Sequence, residues 1–223
     1  MNTLGFDTST PATSACLLRA DGEAFEAVPD PAELLGPPRH SRDLLPRVAD
    51  VMERAGVGYR DLGAVAVGVG PGTFTGLRIG IATARGLAHA HGLEVRPVSS
   101  LAALAAGIDS PLRLPLIDAR RGELFAALHE GERERWAEFV AEPASVAERA
   151  RAAGINPLAA GDGAVRFRQV LEDAGVRVAP DGSEAHAVRA LHVCRLAAAA
   201  RPVPAEAVLP NYIRAPDATP RSA

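Results

Sequence analysis

The sequence predicts an α/β fold in which a mixed sheet carries helices on its faces. Three observations predict it. The first forty residues hold short apolar runs with a hairpin signal between them. Residues 44–55 then change to a helical period, and residues 63–69 form a continuous small-apolar run that Gly70-Pro71-Gly72 joins to a long helical stretch.

The elements follow in order. Residues 3–6 form a strand that ends at Asp7, and residues 13–19 form a second. Asp21-Gly22 turns the chain into a third strand over 23–28. A proline-rich loop, 29–38, follows. Leu44, Leu45, Val48, Val51, Met52 and Ala55 then fall on one face of a helix. Ser41 or Asp43 can cap it, Pro46 is tolerated near its first turn, and Gly56 and Gly58 stop it. The run 63–69 lacks alternation and suits a strand buried on both faces. A helix over 73–89, a strand over 93–98 and a short helix over 100–106 come next. The second half repeats the alternation more weakly. Residues 112–117 and 123–129 read as strands flanking Asp118-Ala119-Arg120-Arg121-Gly122, and 132–140 as a third strand or hairpin return. Residues 143–153, 164–174 and 185–200 read as helices, and proline enriches the tail after Arg201.

Composition excludes several chemistries. All 24 basic residues are arginine. A nucleotide-binding P-loop, Schiff-base chemistry and the kinase ion pair each need a lysine, so all three are excluded. The net charge of −3 lacks the basic excess of a protein whose own surface grips nucleic acid. No apolar run reaches the ~18 residues of a membrane span, and the N-terminus carries no export signal. Cys16 and Cys194 lie far apart, as expected of reduced, partly buried thiols in the cytoplasm. The six histidines nowhere sit three or four apart on a helix, so no metal ligand pair is legible, and G-x-S-x-G is absent.

Four features remain. The loop GVGPGTFTG over 68–76 can converge backbone N–H groups of Gly70 and Gly72 on an anion at a helix N-terminus, or can be a tight strand-to-helix connection. No G-x-G-x-x-G register fits it. Gly76, Gly80, Ala84 and Ala88, four apart, form a ridge almost without side chains that admits a second helix closely, from this chain or from a partner. Phe74, Leu77 and Ile81 lie beside it, with Arg78 and Arg85 on one side. Asp7-Thr8-Ser9-Thr10 at a strand end can hold a metal–phosphate group or form an Asx or Ser/Thr turn. Arg120-Arg121 beside Asp118 reads as a charged turn.

Several motifs together resemble one family. LGFDTSTPATSACLL, HSRDLLP, VGVGPGTFTGLRIGIATARGLA, PVSSLAALA, IDARRGELFAALHE and LPNYIR are similar to TsaB, the bacterial accessory protein of tRNA threonylcarbamoyladenosine synthesis. The resemblance covers roughly residues 2–130 and 208–214. It implies an actin/Hsp70/sugar-kinase-like fold of two RNase H-like lobes, residues 1–105 and 106–223, with a C-terminal helix over 184–200 packing back on the first lobe. It implies a non-catalytic scaffold without cofactor or metal. This scaffold binds a TsaD-like transferase as a heterodimer, joins a TsaE-like ATPase in a ternary complex, and meets tRNA only through the complex; left without its partner, its apolar helical face can be covered by a second copy, as a homodimer. The implied partner-binding residues are His40, Leu44, Leu45, Val48, Met52, Thr73, Phe74, Gly76, Leu77, Arg78, Gly80, Ile81, Ala84 and Arg85. Asp7, Thr8, Ser9 and Thr10, with Gly70 and Gly72, match a vestigial phosphate loop whose usual glycine is missing. The catalytic paralogue's metal-binding His pair is replaced by Pro97-Val98-Ser99-Ser100-Leu101. The rival expectations are an independent ATP-using phosphotransferase of the same superfamily and a metallopeptidase.

Overall fold

The computed structural model describes residues 1–214, so the last part of the proline-rich tail lies outside the described residues. Two five-stranded sheets carry the chain. The first contains β1 (Asn2–Asp7), β2 (Ser14–Leu18), β3 (Ala24–Ala27), β4 (Leu62–Gly68) and β5 (Glu94–Val98) in the order β3-β2-β1-β4-β5. The second contains β6 (Leu112–Arg120), β7 (Glu123–Glu130), β8 (Arg133–Ala141), β9 (Leu158–Ala160) and β10 (Arg177–Val178) in the order β8-β7-β6-β9-β10. Read from the hairpin side, the two orders are the same. Each sheet is an antiparallel three-strand meander extended by two parallel strands. The strands that complete the second copy, β9 and β10, are not legible in the sequence, because they have three and two residues and show no period.

Among the described residues, seven α-helices cover the sheets: α1 (His40–Ala55), α2 (Phe74–His91), α3 (Ser100–Ala106), α4 (Pro143–Ala152), α5 (Asp162–Arg166), α6 (Arg168–Asp173) and α7 (Ala190–Ala197). Alternation sorts the side chains into three layers. Leu4 and Phe6 of β1 and Val65 and Val67 of β4 pack with Leu44, Val48, Val51 and Met52 of α1 and Ile81, Ala84 and Ala88 of α2. Ala66, on the other face of β4, joins Leu101 and Leu104 of α3, Ile117 and Ala119 of β6, Phe125 and Ala127 of β7 and Val193 of α7, in a layer between the sheets. Leu114 and Leu116, the opposite face of β6, form the outer core of the second lobe with Leu124, Leu128, Val146 and Ala150. A strand with both faces buried needs apolar residues throughout, which is why 62–68 shows no polar alternation.

Three local readings are corrected. Neither Ser41 nor Asp43 caps α1: the helix starts at His40, and its N-cap is Arg39, which makes no side-chain cap bond. Pro46 therefore lies inside the helix, where it removes the N–H that would bond the Arg42 carbonyl. The helix expected over 184–200 spans only Ala190–Ala197, because Glu184–His186 form a 3-10 turn and the buried His186 ring bonds the backbone at Gly161, Ala179 and Pro180. The single helix expected over 164–174 breaks at Phe167 into α5 and α6.

Candidate functional site

The loop after β1 is filled by its own chain. Asp7, Thr8, Ser9 and Thr10 are all buried. The Asp7 carboxylate accepts hydrogen bonds from Ser9 N at 2.8 Å and Ser9 Oγ at 2.6 Å, and from Ser100 Oγ at 2.7 Å. Burial pushes its pKa up, and the three hydrogen bonds pull it back only in part. The glycine-led turn presses directly onto this loop. Thr73 N donates to Ser9 O at 2.8 Å, Gly70 N donates to Ser100 Oγ, and Thr8 Oγ1 donates to Gly76 O at 2.8 Å. A Cβ on Gly68 would lie 1.7 Å from Asp7 Oδ2. The N–H groups of Ser9, Gly70 and Thr73 serve this loop, so Asp7–Thr10 with Gly70 form a packed joint between β1, α2 and α3. Ser100, which the sequence placed at a helix start and in the stretch that replaces the paralogue's His pair, is the hub of that joint. Two adjacent serines at a helix start gave no local signal for it.

The ridge is occupied in the same way. A Cβ on Gly76 would lie 2.0 Å from Thr8 O, and one on Gly80 would lie 2.5 Å from Thr8 Oγ1. Ala84 and Ala88 are buried in the first lobe's core. The expectation that this ridge explains a close helix contact with a partner is therefore corrected: Thr8 and β4 fill it. His40, Leu44, Val48, Met52 and Leu77 are buried too, so their side chains set the position of α1 and α2 and are not themselves an outer surface, while Ile81, 5% exposed, only borders an outer groove. His40 shares a 2.8 Å hydrogen bond with Thr13 Oγ1 through Nδ1, while Nε2 has no partner. Burial lowers its pKa, against the nearby Asp43 and Glu33 carboxylates, and keeps the ring neutral.

What α1 and α2 turn outward is different. Leu45 is 57% exposed and Phe74 51% exposed. Arg78 lays its guanidinium 3.7 Å above the Phe74 ring. Tyr212 stacks on the same ring with centroids 5.8 Å apart, and its hydroxyl accepts from Arg78 Nε at 3.3 Å. Beside them runs a groove of about 620 Å³ lined by Arg78, Ile81, Ala82, Arg85, Leu209, Pro210 and Tyr212. Arg85 closes its far end by donating to the carbonyls of Glu206 and Val208. Thr73, the α2 N-cap, makes no side-chain cap bond, and its buried hydroxyl is unpartnered.

The second lobe builds a counterpart to the Asp7 loop at the β6–β7 hairpin. Asp118 is buried, accepts from Arg120 N at 2.8 Å, and pairs with Arg120 at 3.1 Å and Arg166 at 3.2 Å. Arg120 and Arg121 hold positive φ values of 65° and 56°. Asp162, at the start of α5, accepts from Asp118 N at 3.2 Å and Gly163 N at 3.0 Å. Burial, reinforced by the Asp118 charge, pushes its carboxyl up to about 7. Among the described residues, no three or more His, Cys, Asp or Glu side chains group as a metal site. No helix among them is long and apolar enough to cross a membrane.

Two sheets of one topology, each with a carboxylate near the end of its first strand, define an actin/Hsp70-like protein. Solved structures at low identity share this fold: ethanolamine utilization protein EutJ from Carboxydothermus hydrogenoformans (TM-score 0.51, 15% identity, 87% of this chain and 89% of that one) and the activator of 2-hydroxyisocaproyl-CoA dehydratase from Clostridium difficile (TM-score 0.50, 10% identity, 89% and 96%). Residues 36–213 match the family model described as TsaD: tRNA N6-adenosine threonylcarbamoyltransferase. The protein named tRNA threonylcarbamoyladenosine biosynthesis protein TsaB is 38% identical in Escherichia coli, over 58% of this chain and 55% of that protein. Its Haemophilus influenzae namesake is 30% identical over 76% of this chain and 75% of that protein. A crystal structure from Pseudomonas aeruginosa, described as similar to peptidase YeaZ, superposes with a TM-score of 0.78 at 32% identity, over 96% of this chain and 99% of that one. The chain belongs to the TsaB family.

Proposed function

We propose that this chain serves tRNA threonylcarbamoyladenosine synthesis as a non-catalytic scaffold subunit, and that it docks a TsaD-type transferase through the exposed face of α1 and α2. The observation that carries the reading is the contrast between two surfaces of the same helices. Inward, the loop that a phosphotransferase of this fold would use for phosphate is packed shut around Asp7. Outward, Leu45 and the Phe74–Arg78–Tyr212 cluster leave large apolar and aromatic groups in water. Aromatic and Arg residues are the types that dominate protein–protein binding energy. The names of the relatives supply the pathway. The partners follow from the family: the transferase as a heterodimer, a TsaE-like ATPase joining it, tRNA met through the complex, and a second copy of the chain covering the face when the transferase is absent. The cytoplasm and a lobe boundary at 105/106 belong to the same reading.

The test is light-scattering chromatography of the chain alone and mixed with the TsaD-like protein of its organism, followed by calorimetry. Leu45→Glu and Phe74→Glu are expected to keep the fold and weaken the complex by at least about 30-fold, roughly 2 kcal/mol. Wild-type affinity in both variants would overturn the docking face. Absence of any complex, together with saturable Mg-ATP binding by the chain alone, would favour the phosphotransferase.

A further inference from the structure

The LPNYIR segment near the chain's end does something that neither the fold nor the docking face alone accounts for. With the chain that leads into it, past a 3-10 turn at Ala205–Ala207, it touches both lobes. Val203 N bonds Val95 O of β5 at 2.9 Å, and Val208 is buried in the first lobe's core. Asn211 N then donates to Val69 O, just past β4, at 2.7 Å. The Asn211 side chain reaches the other lobe: its Nδ2 donates to Glu138 Oε2 of β8 at 2.6 Å. The second oxygen of Glu138 accepts from Ser99 Oγ, at the entry to α3. Ile213 packs on the layer between the sheets, and Arg214 donates to Ala119 O of β6 at 3.1 Å and pairs with Glu123 of β7. Between these inward anchors, Tyr212 points out and stacks on Phe74.

We propose that residues 208–214 are an interlobe strap, and that the Asn211–Glu138 contact is a positioning contact that locks the two lobes together and pre-sets Phe74, Arg78 and Tyr212 as one rigid docking element. The proposal rests, for its consequence, on the docking reading above. A pre-ordered aromatic cluster binds more tightly than a mobile one because less side-chain freedom is lost on association. Neither Asn211 nor Glu138 needs to touch the transferase.

The test reverses one hydrogen bond. Asn211→Asp keeps the side chain's size and the backbone bond to Val69 but sets two carboxylates face to face. Glu138→Gln on that background restores a donor. In the isolated chain, Asn211→Asp is expected to speed exchange of the residue-211 amide, which bonds Val69 O, by at least about tenfold, and the Asn211→Asp/Glu138→Gln pair to return it to the wild-type rate. In calorimetry with the TsaD-like transferase, Asn211→Asp is expected to weaken binding about tenfold, with recovery to within about threefold in the pair. Tyr212→Ala leaves the contact intact and is expected to weaken binding without altering exchange at Asn211. Wild-type exchange in Asn211→Asp, or failure of the second substitution to restore it, overturns the strap. Restored exchange with unchanged affinity throughout overturns its link to docking. If wild-type protein binds no transferase, the docking reading fails, and with it the proposed consequence, while the exchange arm still decides the strap.

Discussion

Asp7 and Asp118 occupy matching places, near the end of the first strand of each sheet and beside a hairpin partner, yet the chain treats them oppositely. Asp7 is met by hydroxyls and a backbone N–H, and α2 comes down on top of it. Asp118 is met by Arg120 and Arg166, whose side chains are about half exposed, and the element above it is the five-residue α5. The first lobe has turned its loop into a joint that carries a long helix. The second keeps its carboxylate buried but pairs it with arginines that reach into solvent. The difference teaches where the rigidity lies: the surface that α1 and α2 present rests on the packing beneath them.

The comparison breaks most sharply at Gly76. In a helix interior Ala is favoured over Gly by about 0.5–1 kcal/mol, but at Gly76 a Cβ would lie 2.0 Å from the Thr8 carbonyl. Overpacking against backbone outweighs propensity, and Gly76→Ala is expected to cost more than about 4 kcal/mol, seen as loss of the cooperative thermal transition. Gly86 lies on the same helix with nothing within 4 Å of its would-be Cβ. Gly86→Ala is expected to raise stability by about 0.5 kcal/mol, which makes the pair its own control.

Asp162 sharpens the comparison through pH. Its folded pKa of about 7 is raised above the ordinary 3.8, so folding favours the protonated carboxyl. The stabilisation it gives is fully present below pH 4 and is lost as pH rises through about 7. Asp162→Asn keeps an oxygen to accept from Asp118 N and Gly163 N and removes that loss. Denaturant unfolding is expected to find the variant more stable than wild type by up to about 4 kcal/mol at pH 8 and similar to it at pH 4. A parallel pH profile for the two would reject Asp162 as the titrating group.

Removing the two matching carboxylates should give unequal losses. Asp7→Ala strands three buried donors and is expected to cost about 3 kcal/mol. Asp118→Ala releases two half-exposed arginines that can turn to water and strands one donor, the Arg120 N–H, so about 1–2 kcal/mol is expected. Equal losses, measured by urea unfolding at one pH, would dissolve the contrast between joint and arginine-paired hairpin.

Much of the fold was legible in the chain because its signals are local. The helical period over 44–55, the Asp21-Gly22 turn and the unbroken apolar run over 63–69 each act within a few residues of themselves. Composition was equally decisive, since a chain without lysine cannot build lysine chemistry whatever its shape. The candidate site was legible only as a set of residues. Gly76 and Gly80 announced that something approaches closely, but the approaching group is Thr8, 68 residues away from Gly76. A ridge reads the same whether its own chain or a partner fills it. Tertiary structure also decided the status of Asp7, because a carboxylate followed by hydroxyls can bind a ligand or bind itself, and only the descent of α2 removes the room. The second lobe's β9 and β10, and the strap at Asn211, lay beyond reading for a related reason: two or three residues hold no period, and their pairing energy comes wholly from strands elsewhere in the chain. Local pattern determined which elements form. Which surfaces they spend on each other, and which they leave for a partner, was settled by contacts between residues far apart in sequence.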